Sequence, residues 1–259
     1  MKLQPNIPLL IDFDGVLKIG DKPAEGIKDF LSFIMNKKVP ACILSNSTLK
    51  TGQDIKDFLN SNKIESDLAA MSAVDATLSF VKNNYKKISV YAEKEIQKIF
   101  SDFLTNESAA DEEAVVIGDL GKNWTYEILN EIFRKVYNGA ELVAMQKNKF
   151  WKPDGKTIAL DAGAFISSIE YATGKEAKLI GKPSPIFFRT ALKILDYPED
   201  SEFIMLGDDI ETDINAAQKI GGKGVLIYAG KTKYPLPEDS KIRPDHSINT
   251  LQDFIRLYN

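Results

Sequence analysis

Two stretches of this 259-residue chain run from apolar residues straight into carboxylates. In Leu9-Leu10-Ile11-Asp12-Phe13-Asp14-Gly15-Val16 the acids stand two residues apart and a glycine follows. In Phe203-Ile204-Met205-Leu206-Gly207-Asp208-Asp209-Ile210-Glu211-Thr212-Asp213 four acids fall within six residues. Carboxylates grouped in this way can act as nucleophiles, move protons or hold a cation. Asp-Gly alone equally marks a polar strand end with a turn, and one or two acids at a helix start serve as caps that offset its dipole. Four mutually repelling acids beside a second acidic strand end call for more than capping, and a hard divalent cation answers that. Magnesium is the expected ion, because it takes oxygen ligands and is held by one or two carboxylates together with substrate phosphate.

Two smaller signals lie between these acids, Leu44-Ser45-Asn46-Ser47-Thr48 and Gly181-Lys182-Pro183-Ser184-Pro185. Hydroxyls and a lysine are ordinary phosphate ligands. Each segment also has a plain reading, the first as a helix cap and the second as a turn. Scarcity narrows the chemistry further. The chain has one cysteine, Cys42, and one histidine, His246, so neither a disulfide nor a Cys/His zinc cluster can form within it. Cys42 lies in an apolar run and is expected to be a buried thiol. No G-x-S-x-G elbow supplies a serine for a triad built on His246. Carboxylates, lysines, hydroxyls or a cation must therefore do any catalysis.

Stepping along the chain, short apolar runs alternate with helical patterns, which predicts a parallel sheet flanked by helices in an α/β fold. Strands are expected over 7–13, 41–45, 88–91, 114–117, 141–144, 178–180, 202–206 and 224–228. Helices are expected over 24–36, 123–137, 161–172 and 185–195. Both acidic motifs and Ser45 then fall at strand ends, where open parallel sheets bind ligands. The segment 146–156, with Phe150-Trp151-Lys152-Pro153-Asp154-Gly155, is turn-rich yet aromatic, as in a loop that covers something. The formal charge of −4 is spread over interspersed acids and bases, which disfavours nucleic acid and anionic membranes as partners. The N-terminal residues read as neither a signal peptide nor a membrane span, so a cytoplasmic protein is expected.

Taken in order, Asp-x-Asp-Gly, Ser-Asn, Gly-Lys-Pro and Gly-Asp-Asp-x-x-x-Asp resemble the four motifs of haloacid dehalogenase superfamily phosphatases, and the resemblance covers nearly the whole chain. It is closest to subfamily IIA, with a C2-type α/β cap, which includes N-acetylglucosamine phosphate phosphatase-like, nitrophenyl phosphatase-like and phospholysine phosphohistidine inorganic pyrophosphate phosphatase-like proteins. Tyr126-Glu127-Ile128-Leu129-Asn130, Asn138-Gly139-Ala140 and Ile169-Glu170-Tyr171-Ala172-Thr173-Gly174 look most like the last of these. The resemblance implies a Rossmann-like core over 1–74 and 180–259 and an inserted cap over 75–179.

It further implies a magnesium-dependent phosphohydrolase acting on small phosphate monoesters or pyrophosphate through an aspartyl-phosphate. Asp12 would be the nucleophile and Asp14 the acid and base. Asp12 and Asp208 would bind Mg2+ through side chains and Asp14 through its backbone carbonyl, while Asp213 or Asp209 would hold water on the metal. Ser45, Asn46 and Lys182 would bind the phosphoryl group, with Lys182 also restraining Asp12. Lys147 and Trp151 are candidates for cap specificity, alongside Phe150, Lys149 and Lys152. The expected partner is a small phosphorylated metabolite, and a homodimer through the cap is compatible with the subgroup. Ser45 stands where many relatives have threonine, and Asn46-Ser47 where they have two asparagines. The stretch 144–154 lacks the Thr-Asn-Pro-Asp of some sugar-phosphate relatives. Val116-Ile117-Gly118-Asp119 mimics the fourth motif without its later acid and is expected to be a cap strand. The alternatives are a phosphotransferase, a phosphonate-cleaving relative using a cap lysine as Schiff base, and a non-catalytic scaffold.

Overall fold

The apolar runs become the strands of two parallel sheets in a computed structural model, which describes residues 6–104, 112–151 and 157–258. In chain order the strands are β1 Leu9–Asp12, β2 Lys18–Ile19, β3 Lys22–Pro23, β4 Ala41–Ser45, β5 Ala69–Ser72, β6 Ile88–Tyr91, β7 Ala114–Ile117, β8 Glu141–Ala144, β9 Phe150–Trp151, β10 Ala159–Leu160, β11 Lys178–Leu179, β12 Ile204–Gly207, β13 Lys223–Ile227 and β14 His246–Ile248. The chain forms two compact units, Met1–Ser45 with Gly52–Ser72 and Lys182–Asn259, and Asn46–Thr51 with Ala73–Gly181. The boundaries expected at 74/75 and 179/180 each shift by two residues, and 46–51, expected in the core, groups with the second unit.

The first unit holds a six-stranded parallel sheet in the order β14-β13-β12-β1-β4-β5. Chain order runs outward in both directions from β1, so the crevice at its carboxyl end is a topological switch point, where such sheets bind ligands. Register does the rest: Ile11 pairs with Leu206 on one side and Ile43 on the other, which sets the ends of β1, β12 and β4 beside one another. The central strands β1, β4 and β12 are buried along their whole length because helices cover both faces of a parallel sheet. On one face Leu9, Ile11, Ile43 and Leu206 pack with Phe30 of helix Ile27–Asn36 and Phe254 of helix Leu251–Tyr258. The rings of Phe30 and Phe254 meet edge to face, 5.2 Å apart. The alternate residues Leu10, Cys42, Met205 and Leu226 point to the opposite face and are fully buried, so Cys42 is the buried thiol expected.

The second unit holds the parallel order β11-β8-β7-β6 and the small antiparallel pair β10-β9. Helices Tyr126–Tyr137 and Ala162–Thr173 cover one face, with Ile132 and Ile166 against Val115, Ile117 and Leu142. Their starts carry side-chain caps: Thr125 accepts from the Ile128 amide at 3.2 Å, and Asp161 from Ala162 at 2.7 Å. The fourth-motif mimic ends β7, as expected, and Asp119 accepts from the Gly121 amide at 2.7 Å to close a turn. Among the described residues no helix is long and apolar enough to cross a membrane.

Candidate active site

Asp12 is the last residue of β1, and Asp208 directly follows β12, its neighbour in the sheet. One carboxylate oxygen each from Asp12, Asp208 and Asp213 lies within 4.8 Å of the other two, and all three residues are buried. Asp213 reaches the cluster from the turn after β12, where residues Ile210–Asn215 wind more widely than an α-helix. The wide turn brings Asp213 back beneath the strand end, where its Oδ2 accepts from the Asp209 amide at 3.1 Å.

Lys182 enters from the segment before helix Pro185–Ile194, whose start is set by the Ser184 cap and Pro185 in the first turn. Its Nζ donates to Asp12 Oδ1 at 2.6 Å and Asp213 Oδ1 at 2.7 Å, with all three side chains at most 5% exposed. Burial works against the ammonium, but Asp12 and Asp213 together outweigh it and hold Lys182 charged, above its ordinary value. Burial also pushes the Asp12 carboxyl well above the usual range, with Lys182 opposing and Asp213 and Asp208 reinforcing the rise. Asp208 is raised by the same burial and by Asp213, against the Lys231 amide.

Close approach among these groups depends on small residues. Gly15 has φ +94°, in the left-handed region, and a Cβ there would overlap the Asp208 carboxylate. A Cβ at Gly207 would overlap Asp213. Asp14, one residue before that turn, is not among the three clustered carboxylates. Its Oδ2 accepts from Ser45 Oγ at 2.7 Å and its Oδ1 from Lys18 at 3.2 Å, and its side chain is 53% exposed. Ser45 closes β4 and is buried, and Asn46 begins the portion grouped with the second unit.

Of the four acids in the second motif, two leave the cluster. Asp209 caps the wide turn, its Oδ1 accepting from the Glu211 and Thr212 amides at 3.0 and 3.3 Å, and its Oδ2 pairs with Lys231. Burial opposes, but Lys231 and these donors hold its carboxyl below the usual range. Glu211 is exposed and accepts from Asn215. Of the second motif's acids, Asp208 and Asp213 thus lie with Asp12, while Asp209 and Glu211 are engaged elsewhere. In the second unit Lys147 gives both Glu170 oxygens a 2.8 Å hydrogen bond, and Trp151 is exposed on β9, paired with Ala159. Lys149 is exposed, and Lys152 lies outside the described residues. Sequence alone gave no hint of Gly230-Lys231-Thr232, which follows β13; the one available signal is that a glycine-bearing turn at a strand end lies where ligands bind.

Buried acids thus surround one ammonium at the carboxyl edge of a doubly wound parallel sheet. Residues 9–106 match the family model described as haloacid dehalogenase-like hydrolase, and residues 179–254 a HAD-hydrolase-like model. A rat haloacid dehalogenase-like hydrolase domain-containing protein 2 is 32% identical over 91% of this chain and 88% of its own. The rat phospholysine phosphohistidine inorganic pyrophosphate phosphatase is 25% identical, over 96% and 93%. A 4-nitrophenylphosphatase structure from Thermotoga maritima shares the fold with a TM-score of 0.85, at 21% identity over 97% of each chain. The chain belongs to the haloacid dehalogenase-like hydrolase family, as its four motifs imply.

Proposed function

We propose that this haloacid dehalogenase-like phosphatase hydrolyses small phosphate monoesters or pyrophosphate by way of an aspartyl-phosphate on Asp12. The observation that carries the reading is Lys182 bridging Asp12 and Asp213 beside Asp208, all buried at the switch point of the sheet. Three carboxylates against one ammonium fit a divalent cation, which would offset the charge that burial otherwise penalises. Asp12 and Asp208 would hold Mg2+ with the Asp14 carbonyl, Asp213 acting beside them. When bound, such an ion supplies charge stabilisation to the transferring phosphoryl group.

The chain's own groups divide the remaining work. An Asp12 oxygen attacks phosphorus, and the P–O bond to the leaving group breaks as Asp14 delivers a proton to the departing oxygen. Asp14 then takes a proton from water, whose oxygen attacks the acyl phosphate, freeing phosphate and regenerating Asp12. The Ser45 hydroxyl, 2.7 Å from Asp14 Oδ2, orients that carboxylate, and Ser45 and Asn46 would bind the phosphoryl group. Lys182 keeps Asp12 aimed and neutralises charge as it develops on phosphorus. These groups recognise only phosphoryl and cation, so discrimination between leaving groups falls to other residues, with Trp151 the leading candidate.

Asp12→Asn tests the assignment, because the amide is nearly isosteric and cannot attack phosphorus. Turnover of nitrophenyl phosphate should fall by about a thousandfold or more in a folded variant. Retention of a tenth of the activity (roughly the range of a lost positioning contact) would remove Asp12 as nucleophile.

A further inference from the structure

After β1 the chain enters a tight turn that brings Lys18 back to Asp14. Gly15, at φ +94°, lets the backbone reverse, and its amide donates to the Lys18 carbonyl at 2.8 Å. The Leu17 and Lys18 amides both donate to the Phe13 carbonyl, at 3.0 and 2.9 Å. Lys18 then opens β2, paired with Pro23 of β3, so its backbone is fixed on both sides. Its Nζ lies 3.2 Å from Asp14 Oδ1 and 5.8 Å from the centre of the buried Phe13 ring, and its side chain is 27% exposed. Asp14 Oδ2 meanwhile accepts from Ser45 Oγ at 2.7 Å. We propose that Lys18 is a positioning residue for Asp14, which together with Ser45 aims the carboxyl group at the leaving-group oxygen; this rests on the reading of Asp14 as the acid.

The need for a second contact follows from torsional freedom. The last torsion of an aspartate side chain is broad, so a carboxylate held at one oxygen still swings about that contact. The Asp14 side chain is 53% exposed, and packing does little to fix it. Donors on both oxygens, Ser45 from β4 and Lys18 from β2, remove that freedom, because rotation would break two hydrogen bonds at once. Proton delivery requires a hydrogen-bond line to the departing oxygen, and a misplacement of about 1 Å can cost about a hundredfold in rate. The requirement is greatest for a poor leaving group: nitrophenolate departs readily as an anion, whereas phenolate depends more on being protonated as the P–O bond breaks. Loss of Lys18 therefore weighs more on phenyl phosphate than on nitrophenyl phosphate, while a merely structural defect would lower both alike. An exposed i, i+4 ion pair adds little to stability, so removal of Lys18 should leave the fold intact.

The test is the ratio of kcat/KM for phenyl phosphate to kcat/KM for nitrophenyl phosphate, measured on the full-length protein in excess Mg2+. The two esters are close in shape, so the ratio isolates leaving-group departure, and kcat/KM does not include the later attack of water. Asp14→Asn should lower the ratio by about tenfold or more, as expected for loss of a general acid. Lys18→Met should lower it by about fivefold, as the acid stays but its aim is lost. Lys18→Arg should restore the ratio to within about twofold of wild type, because a charged donor is needed and not a particular amine. A folded Lys18→Met protein with the wild-type ratio, while Asp14→Asn lowers it, overturns the positioning role and leaves the acid reading standing. An unchanged ratio in folded Asp14→Asn overturns both. If Lys18→Met does not fold, Lys18→Ala, read in the same way, decides.

Discussion

Lys182→Met removes the one ammonium shared by Asp12 and Asp213 while keeping much of its aliphatic length. Both contacts are short, 2.6 and 2.7 Å, and all three side chains are at most 5% exposed. Removing one partner from a buried pair typically costs about 3–5 kcal/mol, since the charge left behind stays buried without compensation. For a chain of this length each kcal/mol shifts the melting temperature by about 2–4 °C, so a fall of about 6–20 °C is expected in chelator. The deficit has a definite pH dependence. Burial already raises Asp12 and Lys182 holds it down, so the variant's Asp12 rises further above its unfolded value of about 3.9. A carboxyl raised in the folded state penalises folding above its folded pKa, and the penalty fades as pH falls through that value toward the unfolded one. The gap between variant and wild type should therefore narrow on acidification. Added Mg2+ should also narrow it, while turnover stays down by about a hundredfold or more. Thermal unfolding followed by near-ultraviolet circular dichroism, repeated as the solution is acidified from neutral pH, measures this. A variant that melts with wild type in chelator, or a gap that widens on acidification, would refute the electrostatic account.

Three further outcomes are expected. Stripping divalent ions should silence phosphate release and Mg2+ should restore it; full activity after exhaustive chelation would exclude the cation from the chemistry. Trp151→Ala should reorder the preferred substrates while sparing nitrophenyl phosphate, checked by kcat/KM across a panel of phosphate esters; a uniform change for all of them would place selection elsewhere. Gly15→Ala should cost about 1–3 kcal/mol through backbone strain at φ +94° and, by crowding Asp208, weaken Mg2+ binding as well, read by thermal melts and calorimetry; a wild-type melting temperature would show that the turn is not strained.

Much of this protein was legible locally. Ala41–Ser45, Ile88–Tyr91, Ala114–Ile117 and Glu141–Ala144 are strands where their apolar β-rich runs predict them, because burial on both faces of a parallel sheet writes itself into composition. Asp12, Ser45, Lys182 and Asp208 stand out for a related reason: strand ends and helix starts in a doubly wound sheet are where polar groups meet ligands. Strand β5, Ala69–Ser72, carries no such signature. Its small residues have weak strand preference, and the state comes from pairing with β4.

Tertiary structure alone decided how the acids divide. Sequence spacing offers Asp209, Glu211 and Asp213 as near equivalents after Asp208. The wide turn over Ile210–Asn215 carries Asp213 under the strand end to Lys182, while Asp209 is spent on capping and on Lys231 and Glu211 faces water. The groups that make this choice come from remote parts of the chain, Lys182 before it and Gly230-Lys231-Thr232 after it. No local pattern records which residue will be brought opposite which. Residue type narrowed what the chemistry could be, because a single cysteine and a single histidine leave carboxylates, lysines and hydroxyls to do it. Sheet register and the return of distant turns settled which of them share a site, because those distances exist only after the strands have paired.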